Sequence, residues 1–424
     1  MTTIVNGACG RHVAMVFALA MLILPLRALA QDPTEDVPPP AGQQGLFPEP
    51  GIIERAIDKT TKVGDTGGEK RGFYFETSHM ITGAGWISLG PGYRYWFGGD
   101  RMFVDASAAI SWRKYMMARA QFELPKLAGE KVAIGTEMRW QDFTQNTHFG
   151  DGVDSLETDR SEYRLKSTNA IAYTNVRPVD WLTIGGRAGW LYHPTLLPPS
   201  GSFRRDVPGT AERFPGFTAF ALDEQPSFAH GEASIAADTR DHPSFPRHGF
   251  LYRGSWSVFS DRDHGNFSFQ RFEAEGAQFV SFADDLVTLA MHGWLVASDT
   301  ADGKDIPFYL MPSLGGNNSL RAYANYRFHD RHLVVATVET RIALFEHIDF
   351  ALFADAGNVA ARMADLNLDR TSFGAGLRLH SDQSTLGRVD VAHGKEGWRV
   401  TVNTSDVLRL TRLSRRTAPI PFVP

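Results

Sequence analysis

The residues best placed to do chemistry are one cation and two acids. Arg321 lies in the stretch Leu314-Gly315-Gly316-Asn317-Asn318-Ser319-Leu320-Arg321-Ala322-Tyr323. Its paired glycines and asparagines permit a tight, partly left-handed backbone. Glu339 and Asp355 follow, each inside a strand-like segment, 333–344 and 348–359. An arginine at a loop tip would on its own be solvated. The placement of the acids suggests otherwise. Strand side chains alternate faces. Val334, Ala336, Val338, Ile342 and Leu344 share one face of the first segment, and Glu339 and Arg341 share the other. In the second, Ile348, Phe350, Leu352, Ala354 and Ala356 oppose Asp349, Phe353 and Asp355. Both acids point away from the more apolar face. If that face meets lipid, both point into one interior, where a loop guanidinium can fork onto them. That chemistry is ion pairing, not bond breaking.

Sites for covalent chemistry are missing from the sequence. Leu314–Asn318 is Gly-rich but lacks the following Lys and Ser/Thr of a phosphate-binding loop. There is no Gly-x-Ser-x-Gly elbow. The histidines are scattered, with no His-x-x-x-His pair on a plausible helix. Asp151, Asp154 and Asp159 do not follow calcium-loop spacing, so 144–160 reads as an ordered loop. The only cysteine, Cys9, leaves no disulfide or thiol chemistry to propose. No catalytic residue, cofactor or metal ligand is assigned, and the protein is expected not to be an enzyme.

The elements that must hold Arg321, Glu339 and Asp355 fill most of the 424 residues. A net charge of −5 without a basic stripe excludes a nucleic-acid partner. Arg11, the apolar run Val13 to Leu26 and Ala28-Leu29-Ala30 read as a signal peptide over 1–30. That run falls short of the roughly 20 residues a membrane helix needs. Residues 31–70 read as a Pro/Gly-rich linker, with Pro38-Pro39-Pro40 in a row and a short helix over 51–63 presenting Ile52, Ile53, Ala56 and Ile57. Residues 406–424 form a basic tail with Arg409, Arg412, Arg415 and Arg416.

From Gly72 to about residue 405 the chain reads as strand after strand. Val104, Ala106, Ala108 and Ile110 alternate with Asp105, Ser107 and Ser111. Strand-like runs also cover 83–97, 326–328 and 397–405. Runs of about ten residues with a dyad period suit a transmembrane barrel. A soluble sandwich uses strands of about five or six. Counting gives about 14 to 17 strands. An even number places both ends of the wall on the periplasmic side, and the long segments 144–160 and 194–227 outside.

At this point the sequence resembles a family. LGGNNSLRAY, then TVETR and FADAGNV, resemble the C-terminal half of Omp85 outer-membrane barrels (BamA/TamA/Sam50, surface antigen D15). The resemblance implies an all-β, 16-stranded antiparallel transmembrane barrel over 71–405, with 371–393 as one long bent strand and a loop folded inward. It implies that Arg321 is the loop lock and that Glu339 and Asp355 are its partners, with Gly315, Gly316 and Tyr323 at the loop tip. Ala322 stands where the family has glycine. A second stretch, Asp238, Arg240, Asp241, Pro243, Pro246 and Gly249, resembles the family motif DxRDNPxxPxxG, with His242 in place of Asn. It reads as a structural turn in which Asp and Arg bond free backbone groups. Residues 31–70 are too short and proline-rich for a POTRA domain, so the resemblance covers the barrel, as in members lacking that region. It implies a bacterial outer-membrane location, lipid contact, and assistance to insertion or translocation of outer-membrane proteins or lipids. A passive channel, or a structural barrel partnering a separate periplasmic protein, stays open beside it.

Overall fold

A computed structural model describes residues 45–51, 71–77, 88–200, 206–216, 225–242, 245–381 and 385–403. The expected signal peptide, the basic tail, all of the linker but 45–51 and all of its helix but Gly51 lie outside these residues. So do Pro243 and the first part of the 83–97 strand.

The chain is almost entirely strand. The first elements are β1 (Gly72–Thr77), β2 (Ser88–Phe97), β3 (Met102–Ser111), β4 (Met116–Leu127), β5 (Val132–His148), β6 (Ser161–Val179) and β7 (Leu182–Leu197). They continue with β8 (Phe228–Asp238), β9 (Gly249–Asp261), β10 (Phe269–Phe282) and β11 (Val287–Thr300). Two short strands, β12 (Ser313–Leu314) and β13 (Phe328–His329), pair with each other outside the main sheet. The wall resumes with β14 (His332–Ala343), β15 (Ile348–Ala360), β16 (Arg370–His380), β17 (Thr385–Gly394) and β18 (Gly397–Asn403). Leaving out β12 and β13, each strand pairs antiparallel with its sequence neighbours in one 16-stranded sheet.

The two faces of the wall are reversed relative to a soluble protein. Along β3 the polar Asp105, Ser107 and Ser111 are buried while Ile110 is 51% exposed. Trp256, Trp398 and Val400 face outward elsewhere. Inward-facing polar groups find partners: Asp105 accepts hydrogen bonds from Tyr74 Oη, Arg94 Nε and Arg119 Nη2 at 2.8 to 3.1 Å. A dyad alternation with polar residues inside is the pattern of a barrel whose outside is apolar.

The sheet rolls up. Arg370, at the start of β16, donates to the Val153 carbonyl in the β5–β6 loop at 2.9 Å. Those strands stand far apart in the sheet order, so a flat sheet would hold them far apart. Among the described residues no strand pairing joins β1 to β18.

Two expectations change. Residues 371–393 are not one bent strand, because the chain reverses and Phe373 pairs with His393 across β16 and β17. Two full-length antiparallel strands each satisfy the other's backbone, which one long strand there would not. In the run 326–328 only Phe328 is extended, and Tyr326 takes a left-handed φ of 58°.

Candidate functional site

Past an exposed turn at 301–303, the chain between β11 and β13 folds inward rather than out to solvent. Leu314, Leu320, Tyr323 and Phe328 are all buried, packed with Leu333, Val335 and Phe353 of the wall. The turn closes locally: Gly316 N–H donates to the Leu320 carbonyl at 3.1 Å, and Gly315 N–H to Ser319 Oγ at 3.0 Å. Gly315 and Gly316 take φ of +113° and +96°, which a β-carbon disfavours. Arg321 is carried at the tip and is fully buried.

Arg321 lies between Glu339 and Asp355. Its Nη1 donates to Glu339 Oε2 at 2.6 Å. Its Nε and Nη2 fork onto Asp355 at 3.0 and 2.7 Å, and its backbone N–H reaches Asp355 Oδ2 at 3.2 Å. The guanidinium carbon also stands 3.3 Å from the centre of the Phe353 ring. The wall's register explains the meeting: Thr337 pairs with Asp355 and Glu339 with Phe353, so both acids rise from adjacent positions on one face. Thr337 Oγ1 and Ser372 Oγ donate to Asp355 at 3.2 Å each, so the carboxylate is held from the strand side as well.

The network is wider than the three residues read from the sequence. Glu339 also accepts from Arg341 at 2.9 Å and from Arg378 at 2.8 Å. Arg378 bridges to Asp390 at 2.6 Å. Asp390 pairs in turn with Arg388, which donates to the Asn317 carbonyl in the loop at 2.7 Å. Arg378, Arg388 and Asp390 were not singled out, yet the same parity that aimed Glu339 inward on β14 aims them inward on β16 and β17. Ala322 causes no strain: its φ is not positive. Its N–H donates to Ser372 Oγ at 3.0 Å. Its methyl faces Gly394, where a β-carbon would come within 2.9 Å.

Loops from other walls close on this one. Arg327 donates to Ser155 Oγ and O at 2.9 and 2.7 Å, and pairs with Glu396 in the β17–β18 turn at 2.8 Å. Gly152 N–H donates to the His329 carbonyl at 2.7 Å. Burial pushes His329 down to about 4 and Tyr326 up to about 12. Part of the 194–227 loop packs beside them, where Ser161 Oγ meets Thr210 Oγ1 at 2.9 Å.

The motif residues Asp238 to Gly249 sit at the opposite, short-turn end. Asp238 pairs with Arg240 at 2.9 Å, and Asp241 accepts from the Arg247 N–H at 3.1 Å. Gly249 takes a φ of +89°, and a β-carbon there would strike the Thr239 carbonyl. Pro246 precedes a residue that reaches inward: Arg247 lies 3.5 Å from Asp349. Phe245 enters the interior too, stacked on His380 with ring centres 3.9 Å apart.

The fold and this interior define a 16-stranded barrel with an inward-folded, ion-paired loop. Residues 214–395 match the family model described as the Omp85 superfamily domain. All three lock residues fall inside it. The crystal structure of BamA from Haemophilus ducreyi lacking POTRA domains 1–3 aligns with a TM-score of 0.60 at 15% identity, over 79% of this chain and 70% of that one. CdiB from Escherichia coli aligns at 0.50 and 12% identity, over 78% of this chain and 61% of that one. At such identities the likeness speaks for the fold. No curated protein matches the sequence.

Proposed function

We propose that the protein is a bacterial outer-membrane barrel that assists the insertion or translocation of outer-membrane proteins or lipids. The observation that carries the reading is the combination of a filled interior with free sheet edges. β1 and β18 each have a strand partner on one side only among the described residues. An unpaired edge can add an incoming strand through main-chain hydrogen bonds. The work is done by pairing rather than by bond chemistry, with no cofactor. Arg321, Glu339 and Asp355 act as a lock that keeps the interior loop seated while an edge engages a client or a separate periplasmic partner. The apolar outer face supports contact with membrane lipid.

Depletion of the protein followed by an inventory of outer-membrane proteins and lipids tests this. The expected result is a selective loss of some barrel proteins or an altered lipid content. An unchanged inventory would overturn it.

A further inference from the structure

The short-turn end of the barrel holds a cluster that the lock does not use. Residues 45–49 run along the β14–β15 turn. Leu46 and Phe47 donate their N–H groups to the Ala343 and Leu344 carbonyls at 3.0 and 2.9 Å. The Phe47 and Phe345 rings lie 5.9 Å apart. Gly45 passes so close that a β-carbon would sit 2.5 Å from the Phe345 backbone. These contacts bring Glu49 to the turn. Its Oε2 accepts from the His347 backbone N–H at 3.0 Å and lies 3.2 Å from His347 Nδ1.

Its other oxygen is the informative one. Glu49 Oε1 is buried without a hydrogen-bond partner, in a side chain only 9% exposed. Burying a carboxylate oxygen with no partner is costly. Glu346 stands beside it, and one ligand atom from each of Glu49, Glu346 and His347 falls within 4.8 Å of the others. Among the described residues neither acid has an arginine or lysine ion-pair partner. The nearest other acid, Asp349, is already taken by Arg247 and His380.

From this we propose that Glu49, Glu346 and His347 bind a divalent transition-metal ion of the zinc class. The ion clamps residues 45–49 onto the mouth of the barrel. Two carboxylates and a neutral imidazole balance a dication. The imidazole favours a transition ion over magnesium or calcium. Bonds of about 2.0–2.2 Å leave a fourth, open position for water. From a spread of up to 4.8 Å the cluster needs to close by about 1.5 Å at most, since ligand atoms of a tetrahedral site stand about 3.3 Å apart at those bond lengths. The ion would occupy the place where Glu49 Oε1 has no partner now. No spacing along the chain marks it, because Glu49 and His347 are 298 residues apart.

The test uses the untagged, folded full chain in detergent, stripped with EDTA. Zn²⁺ is titrated by calorimetry, and Co²⁺ is followed by its visible absorption. The expected result is one saturable ion per barrel at micromolar concentration or below, with a tetrahedral-type Co²⁺ spectrum. Glu49→Gln, Glu346→Gln and His347→Gln should each weaken it at least tenfold. Gly45→Val touches no ligand but lifts the segment, and should weaken it too. Heat-modifiable mobility on gels shows that each variant is folded before it is titrated. No saturable uptake, or Glu49→Gln binding like the wild type (an adventitious ion only), would overturn the proposal.

Discussion

At the scale of single residues, the interior is governed by charges that cannot reach water. Arg321, Glu339 and Asp355 are all fully or almost fully buried. Removing the guanidinium leaves Asp355 without a cation, while Glu339 keeps Arg341 and Arg378; breaking a buried pair costs about 3–5 kcal/mol where burial is deep. Arg321→Ala is therefore expected to yield an inserted but destabilised barrel, seen as a lower heat-modifiability midpoint. A midpoint equal to the wild type would remove the lock from the account. Arg321→Lys should fall between, since an ammonium keeps the charge but loses the fork onto Asp355. His329 gives a pH effect with a defined sign. Its folded value of about 4 lies below the ordinary 6.5. The stability it contributes is complete above pH 6.5 and is lost as pH falls toward 4, because the released loop takes up the proton first. The full effect is on the order of 3 kcal/mol. Midpoints at pH 7.5 and 4.5 should diverge in the wild type and converge in His329→Gln.

Glu339 and Asp355 could be read from the sequence because their strands alternate cleanly around them, whereas the role of Arg321, in the loop, came with the Omp85 resemblance. Arg378, Arg388 and Asp390 obey the same parity. Phe373, Leu377, Leu379, Val389 and Val391 mark the outward face on β16 and β17, but the inward three reach the loop through Glu339 and the Asn317 carbonyl, a link that alternation does not reveal.

At the scale of elements, small residues decide how closely the loop can sit on the wall. Gly394 on β17 faces the loop tip. A β-carbon there would stand 2.9 Å from Ala322 Cβ, 3.0 Å from the Thr371 carbonyl and 3.2 Å from Tyr323. Gly394→Val should push the tip off its seat and cost about 1–3 kcal/mol, as overpacking does. Combining it with Ala322→Gly should recover part of the loss, and full additivity in a double-mutant cycle would show that the two do not touch. The strands themselves were legible from dyad alternation. The single bent strand over 371–393 was an implication of the family resemblance and not of alternation, which marks separate runs on either side of 381–384, where β16 ends and β17 begins. The inward course of Leu314 to Phe328 could not come from periodicity either, since it depends on acids that lie on later strands.

At the scale of the molecule, the two ends of the barrel are closed differently. Long loops meet across one end through Arg327, Ser155 and Glu396. Phe245 and Arg247 enter the other. In planar bilayers the protein should show small, fluctuating conductance. Large, steady steps would favour the passive channel instead. Shortening the loop by removing 313–329 should open the pore and raise the conductance.

The ion-paired interior also bears on how the wall is completed. Arg321 is joined by groups from β14 and β15, and Ala322 is seated by Ser372 of β16 and Gly394 of β17. A slip of one residue in β14 or β15 would turn Glu339 or Asp355 to the outside and take from the guanidinium one of its two counter-charges. The same salt bridges that hold the loop therefore proofread the register, admitting the insert only when four successive strands have been laid down in phase.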